Sequence, residues 1–173
     1  MENLSRSEAP RDEISIERYL TFGLAESDYA VQLDWVHEIV GLQRITPIPD
    51  MPAWWRGVIN LRGNVIPLGD VRSRFQMEER PYDQRTCIIV VSIDSRKVGL
   101  IVDRVNEVAD IQGDQVEKPS VTGGGGFSPY IKGIGKVEDE IKIILDVQKL
   151  LSSEEKLAID ALPSGAGGEE DAA

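Results

Sequence analysis

The side chains that could catalyse a reaction or hold a metal are few in this sequence. Among 173 residues there is one histidine, His37, and one cysteine, Cys87. His37 lies between the apolar residues Val36 and Ile39, and a lone histidine of this kind is more often structural than a general base. One histidine and one cysteine do not make a zinc site, and no serine stands in a nucleophile-elbow pattern. We therefore expect no catalytic residues, no metal and no cofactor.

Two further features allow a chemical and a simpler interpretation. The run Gly123–Gly126 resembles part of a phosphate-binding loop, but no Lys-Ser/Thr pair and no helix start follow it, so a flexible linker is favoured. Cys87 opens an apolar segment and is interpreted as a small buried hydrophobic residue. A single cysteine excludes an internal disulfide and suits a reducing cytosol.

The segment from Pro47 to Asp70 holds a candidate recognition residue, Arg62. Gly63-Asn64 predicts a tight hairpin turn, which places Arg62 beside its tip. An arginine there could bind a carboxylate on a partner, or it could be an ordinary surface residue with a local acid, and the residues alone favour the second. Trp54 and Trp55 are core-filling residues or interface anchors, and the core is favoured.

The charge pattern excludes some classes of partner. The net charge is −11, and binding to a nucleic-acid backbone needs clustered Lys and Arg. Residues 1–18 and 152–173 together carry −7 of this charge, which indicates solubility rather than recognition. Residues 1–18 mix Glu and Arg without an apolar run, so they do not predict a secretory signal. No apolar run is long enough to predict a membrane span.

Short apolar segments between Gly, Asp and Pro predict strands of a barrel or sandwich. These segments are Tyr19–Leu24, Tyr29–Leu33, Gly57–Leu61, Val65–Leu68, Cys87–Ile93, Val98–Val102, Tyr130–Val137 and Ile141–Leu145. From Val147 onward the apolar spacing is helical instead. Ser152 and Glu155 have the spacing of a capping box, so a helix is expected to start or restart there.

The sequence also contains an internal repeat. Leu33–Val40 matches Val102–Ala109 at an offset of 69, and Asn64–Val71 matches Glu140–Val147 at an offset of 76. The seven-residue difference falls in the loop with Gly123–Gly126. Units of about 19–71 and 88–147 each carry enough strand signals for a small barrel, and the groove between two barrels would be a natural docking surface. Whether one barrel borrows a strand from the other half stays open.

An ordered series of motifs resembles the CheW-like domain over about residues 17–162. The motifs are V-x-E-I at Val36–Ile39, a proline loop and aromatic at Pro47–Trp54, G-V-x-N-L-R-G at Gly57–Gly63, an apolar strand at Val65–Asp70, V-G-x-x-V-D-x-V at Val98–Val105, Y-x-x-G-x-G at Tyr130–Gly135, and a strand with a Leu-Leu helix at Ile141–Leu151. Trp55 departs from the small aliphatic residue usual in that family. The resemblance implies an all-β fold of two SH3-like five-stranded β-barrel subdomains packed together, with a short C-terminal helix. Residues 1–16 are then a flexible lead and 163–173 a disordered acidic tail.

The resemblance also implies a function. Members of this family join the cytoplasmic tip of methyl-accepting chemotaxis receptors to the regulatory domain of the histidine kinase CheA, in membrane-associated arrays. Carried over by motif, the receptor-binding residues are Val36, Glu38, Gly57 and Arg62. The kinase-binding residues are Gly41, Ile45 and Thr46.

Two alternatives to this receptor–kinase coupling role remain. A coupling protein of another chemosensory pathway, such as pilus motility or biofilm control, would have the same sequence features. A small β-barrel ligand-binding domain is the other alternative, and it predicts a pocket with converging polar groups.

Overall fold

The computed structural model describes residues 15–118 and 129–162. Within these residues strands are the main regular structure of both units. The first unit forms β1 (Ile16–Leu24), β2 (Ser27–Gln32), β3 (Val36–Gly41), β4 (Trp55–Leu61) and β5 (Asn64–Asp70), and the second forms β6 (Cys87–Ile93), β7 (Arg96–Val102), β8 (Arg104–Gln112), β9 (Val116–Glu117), β10 (Ile131–Val137) and β11 (Glu140–Leu145).

Tight turns explain why successive strands pair. The β6–β7 turn has positive φ at Asp94 and Ser95, and the β10–β11 turn has it at Glu138 and Asp139. Two consecutive residues with positive φ form the type I′ turn, whose twist matches that of the flanking strands. Asp and Ser at such positions are among the residues that hydrogen-bond locally in turns.

The two units carry similar elements at equivalent positions of the predicted repeat. A helical turn follows the last long strand of each unit, at Val71–Arg74 in the first and Val147–Lys149 in the second. Asp70 caps the first turn by accepting a hydrogen bond from the Arg72 N–H, and Asp146 caps the second by accepting one from the Gln148 N–H.

The two units exchange hairpins. The six-stranded sheet has the order β8-β1-β2-β11-β10-β9, and the five-stranded sheet has the order β3-β6-β7-β5-β4. Each sheet therefore inserts the first hairpin of one unit between the third and the last strands of the other. Parallel pairs join the units, β2 with β11 and β5 with β7. This answers the question that the sequence left open, because neither unit builds a sheet alone.

Each sheet closes into a barrel because the chain after β3 or β8, the third strand of its unit, crosses to the opposite edge of the same sheet. Thr46, five residues beyond β3, forms an isolated bridge with Val58 of β4 at the opposite edge of the five-stranded sheet. In the six-stranded sheet, β9 follows β8 after a short turn and pairs with β10 at the far edge. Closure of this kind removes unpaired strand edges. We call the two bodies the five-stranded barrel and the six-stranded barrel.

A shared core joins the barrels. The largest cluster of buried apolar side chains takes residues from both sheets and from the C-terminal segment, among them Phe22, Leu24, Val91, Leu100 and Leu150. Trp54 and Trp55 belong to the same cluster, so the core interpretation of this pair is correct. Each barrel adds a smaller apolar cluster of its own.

The chain restarts a helix where the capping-box spacing predicts it. The C-terminal helix runs over Ser153–Asp160, and the side chains of Ser152 and Glu155 form the reciprocal capping box. Ile159 of this helix is buried in the shared core. Among the described residues, no helix has the length and apolar character needed to cross a membrane.

Candidate functional site

All seven residues assigned to partner binding lie on neighbouring segments of the five-stranded barrel. These segments are β3, residues 42–46 and β4 with its following turn, and we call them the docking strip. Residues 42–46 run beside β4, because Thr46 pairs with Val58. Closure of the barrel therefore brings together two stretches that stand well apart in the sequence.

Arg62 and Glu38 form an ion pair across the strip, from the turn after β4 to β3. The Arg62 side chain remains 65% exposed, whereas that of Glu38 is partly covered. Leu61 pairs with Asn64, so the turn residues are Arg62 and Gly63, with φ of 54° and 88°. The expected Gly63-Asn64 turn is therefore wrong by one residue. Arg62 occupies the turn itself, where it projects from the end of the hairpin.

Gly57 and Thr46 are in direct contact. The Thr46 N–H donates to the Val58 carbonyl at 2.8 Å, and the Val58 N–H donates to the Thr46 carbonyl at 2.9 Å. Gly57 has φ of 136°, and a Cβ added to it would lie 2.2 Å from the Thr46 oxygen. Only glycine allows this approach. One residue assigned to the receptor thus packs against one assigned to the kinase, so the two predicted sets adjoin each other.

The remaining predicted residues differ in exposure. Val36 is half-buried against the shared core, and Ile45 is half-buried against the apolar cluster of the five-stranded barrel. Gly41 is exposed, and a Cβ added there would meet no atom within 4 Å. Gly41 therefore leaves open space on the surface for a partner atom. Val36 and Ile45 expose only the outer part of their side chains to a partner.

The docking strip also contains two exposed apolar residues that the sequence interpretation missed. Ile39 is 42% exposed and Leu42 is 37% exposed. A bulge between Val36 and Glu38 shifts the register of β3 against β6, and the side chains of β3 then alternate with Ile39 outward. The internal repeat is the signal that could have drawn attention to Ile39. The equivalent residue in β8, Val108, is also apolar and also exposed.

A buried ion pair joins Arg72 and Asp103. Nε of Arg72 donates to Oδ1 of Asp103 at 2.8 Å, and Nη2 donates to Oδ2 at 2.9 Å. Asp103 also accepts the Ala25 N–H at 2.7 Å. Burial acts to raise the pKa of the Asp103 carboxyl, but the hydrogen bonds from Arg72 and Ala25 outweigh it and lower that pKa. This pair links the short helix of one unit to a corner of the other.

The structure locates the two residues, His37 and Cys87, that were considered for metal binding. In the described ranges, no group of three or more His, Cys, Asp or Glu side chains is placed to hold a metal ion. His37 is exposed on β3, and Cys87 is a free, half-buried thiol at the start of β6. Gly123–Gly126 lie outside the described residues.

The ligand-binding alternative predicts a pocket with converging polar groups. A groove of about 420 Å³ is lined mainly by aromatic and apolar residues, including Tyr29, Phe75, Met77 and Tyr130, with Arg74 at its wall. The rings lie in a row, with centroids 5.8 Å apart for the tilted pair Tyr29 and Phe75 and 5.6 Å apart for the stacked pair Phe75 and Tyr130. The groove does not show the predicted polar convergence.

Comparisons with known proteins agree with this architecture. The CheW-like domain family model matches residues 18–155. The chain is 33% identical over 144 residues to the chemotaxis protein CheW of Klebsiella aerogenes, covering 83% of this chain and 87% of that protein. It is 31% identical over 140 residues to the chemotaxis protein CheW of Treponema pallidum, covering 79% and 82%.

A solved structure shows the same fold. The crystal structure of the scaffolding protein TtCheW from Thermoanaerobacter tengcongensis superposes with a TM-score of 0.75 at 35% identity, covering 82% of this chain and 96% of that chain. Two interlocked barrels, an internal repeat and the family match over most of the sequence lead to one assignment. This chain belongs to the CheW-like domain family.

Proposed function

We propose that this protein is an adaptor that couples methyl-accepting chemotaxis receptors to the histidine kinase CheA. The observation that carries the proposal is the docking strip, in which β3 and the residues after it carry the exposed apolar residues Ile39 and Leu42 as well as Glu38, the ion-pair partner of Arg62. An apolar centre with a polar, charged rim is the usual anatomy of a protein interface. The names of the relatives, chemotaxis protein and scaffolding protein, support the same role.

The receptor is proposed to dock on Val36, Glu38, Gly57 and Arg62. Arg62 can offer its guanidinium donors to a carboxylate or carbonyl on a receptor helix, since it stays largely exposed while paired. Val36 lies on the same strand as Glu38 and adds apolar contact. Gly57 contributes through the backbone, because its close contact with Thr46 sets the path of β4.

The kinase regulatory domain is proposed to dock on Gly41, Ile45 and Thr46. Gly41 leaves room for a partner side chain, and Ile39 and Leu42 extend this part of the strip with apolar surface. The two partners would then sit side by side, and would bring receptor and kinase together on one rigid barrel. The adaptor would work at receptor arrays on the cytoplasmic side of the membrane.

The test is a binding measurement on the full chain with two separate partners. These are a cytoplasmic-tip fragment of a chemoreceptor and the regulatory domain of CheA, both encoded by the same genome. Arg62→Ala is expected to weaken receptor binding by about 1–3 kcal/mol, as loss of a charged interface residue typically does. Kinase binding should survive.

Arg18→Ala is the matched control, because Arg18 is 67% exposed and also pairs with an acid, Asp110, but lies on the six-stranded barrel. This variant should bind both partners normally. Equal losses for receptor and kinase in Arg62→Ala, or no loss at all, would contradict the assignment. A coupling role in a non-flagellar chemosensory pathway uses the same surface, and recovery of that pathway's receptor and kinase from native lysate identifies it.

A further inference from the structure

The C-terminal helix carries a buried acid that the docking account does not use, Glu155. Its side chain is only 11% exposed. One carboxylate oxygen accepts the Ser152 N–H at 2.9 Å and completes the helix cap. The other accepts the Trp54 indole N–H at 3.0 Å and lies 3.4 Å from Nη1 of Arg74. A buried carboxylate with these partners ties the helix to the first unit.

Trp54 is held on its other sides as well. A Cβ added to Gly69 would lie 2.3 Å from the indole ring, so β5 presents bare backbone to it. The Trp54 carbonyl accepts the Asp70 N–H at 2.8 Å, and the Arg74 guanidinium stacks on the ring at 4.9 Å. The indole therefore has a fixed position, and its N–H is the only polar group that it has to satisfy.

From Trp54 the chain leads directly into the docking strip. Trp54 immediately precedes β4, and the register of β4 against β5 shifts between Trp55 and Gly57. Gly57 then packs on the Thr46 carbonyl. The position of Trp54 thus sets where β4 enters the bulge, and the bulge sets the contact between the two stretches of the strip.

In the other unit a tyrosine takes the place of Trp54. Tyr130 occupies the position equivalent to Trp54, and its carbonyl likewise accepts the N–H of Asp146 at 2.8 Å. Arg74 also stacks on the Tyr130 ring, at 4.8 Å. The indole bond to Glu155 is made by the unit that carries the docking strip.

We propose that Glu155 is a positioning residue for partner binding, which acts through Trp54 to hold the Gly57–Thr46 contact in the docking strip. The inference rests on the proposed function of that strip. Glu155 itself touches no partner, since it is buried beneath the surface.

The experiment uses the full chain with Glu155→Ala, Trp54→Phe and the double variant. Glu154→Ala is the matched control, because Glu154 is an exposed acid in the same first helical turn. The readouts are affinity for the CheA regulatory domain and the receptor fragment, and amide hydrogen exchange at Thr46 and Val58 relative to amides of β6 and β7. All are measured where every variant is folded.

Glu155→Ala and Trp54→Phe are each expected to weaken partner affinity by about three- to tenfold, the change that one net hydrogen bond supports. The double variant should lose no more affinity than the more affected single variant, because both changes break the same hydrogen bond between Trp54 and Glu155. Exchange should accelerate at Thr46 and Val58 but not in β6 and β7, and Glu154→Ala should change nothing.

Unchanged affinity and exchange in Glu155→Ala would overturn the inference, as would additive losses or uniform acceleration of exchange. If Arg62→Ala also leaves affinity intact, the proposed function fails instead. In that case the local exchange at Thr46 and Val58 still reports whether Glu155 supports the strip.

Discussion

The buried pair between Arg72 and Asp103 allows a quantitative prediction. The two side chains are 10% and 11% exposed, and Asp103 accepts from both the Arg72 guanidinium and the Ala25 N–H. Asp103→Asn removes the negative charge but keeps the shape and one acceptor oxygen. The Arg72 cation then stays buried without its counter-charge.

Breaking a buried pair by removing one partner costs about 3–5 kcal/mol. The lower end applies here, because the asparagine oxygen still accepts a hydrogen bond and the Glu78 carbonyl also accepts from Arg72. We expect a loss of about 3 kcal/mol in the free energy of unfolding. With an m-value of about 2 kcal/mol/M, that loss moves the urea midpoint down by about 1.5 M.

Asp110→Asn is the control, since Asp110 pairs with Arg18 on the exposed surface at 3.2 Å. Exposed pairs contribute about 0–1 kcal/mol, so this variant should move the midpoint by no more than about 0.5 M. Urea unfolding followed by circular dichroism measures both variants, and an unchanged m-value confirms that stability alone is affected. Equal midpoint shifts would refute the reasoning about burial.

Three further predictions follow from single contacts. Gly57→Ala should destabilise the fold by more than about 2 kcal/mol, because its Cβ would strike the Thr46 oxygen at a positive φ; a melting temperature within a degree or two of wild type would contradict this. Because the pKa of Asp103 is lower in the folded than in the unfolded state, the Asp103 carboxylate stabilises the fold above the unfolded pKa of about 4, and this stabilisation is lost as the pH falls through the folded pKa. The urea midpoints of wild type and Asp103→Asn should therefore converge in acid. A gap between the midpoints that stays constant with pH would contradict this prediction. Burial and neighbouring Asp70 raise the pKa of Tyr82 to about 12, so Tyr82→Phe should remove a late step from an ultraviolet alkaline titration, and loss of an early step would show that the hydroxyl is accessible.

Local sequence signals predicted most of the strands and the C-terminal helix. Apolar blocks identified eight of the strands that the structure contains, and the capping box at Ser152 and Glu155 marked the helix start. These signals work because turns and caps are decided by neighbouring residues. The third strand of each unit, β3 and β8, escaped this pattern because each exposes apolar and polar residues on the same face.

The exchange of hairpins could not be predicted from these signals. Each hairpin forms through its own turn, but the sheet that receives it depends on contacts between residues far apart, such as the parallel pairing of Asp70 with Ile101. Pairing of this type is decided by packing in the shared core rather than by local propensity. The repeat in the sequence is therefore compatible with both separate and exchanged barrels.

The motif resemblance supplied the proposed site residues, but not their geometry. The motif resemblance placed Glu38 and Arg62 in one set, and the structure brings them into contact. The turn was misplaced by one residue, because Gly63 can occupy either position of a type I′ turn. The outward direction of Ile39 depends on a bulge, and a bulge leaves no pattern that a strict period of two can reveal.

Because of the exchanged hairpins, the two units of this single polypeptide are arranged like the two subunits of a two-fold symmetric homodimer. In a true homodimer the two copies of every surface are identical. Here, fusion has freed them to diverge, and the equivalent β-turns now carry Arg62 in one half and Glu138 in the other. The equivalent turns of the two halves thereby carry opposite charges, and each is free to acquire a different neighbour.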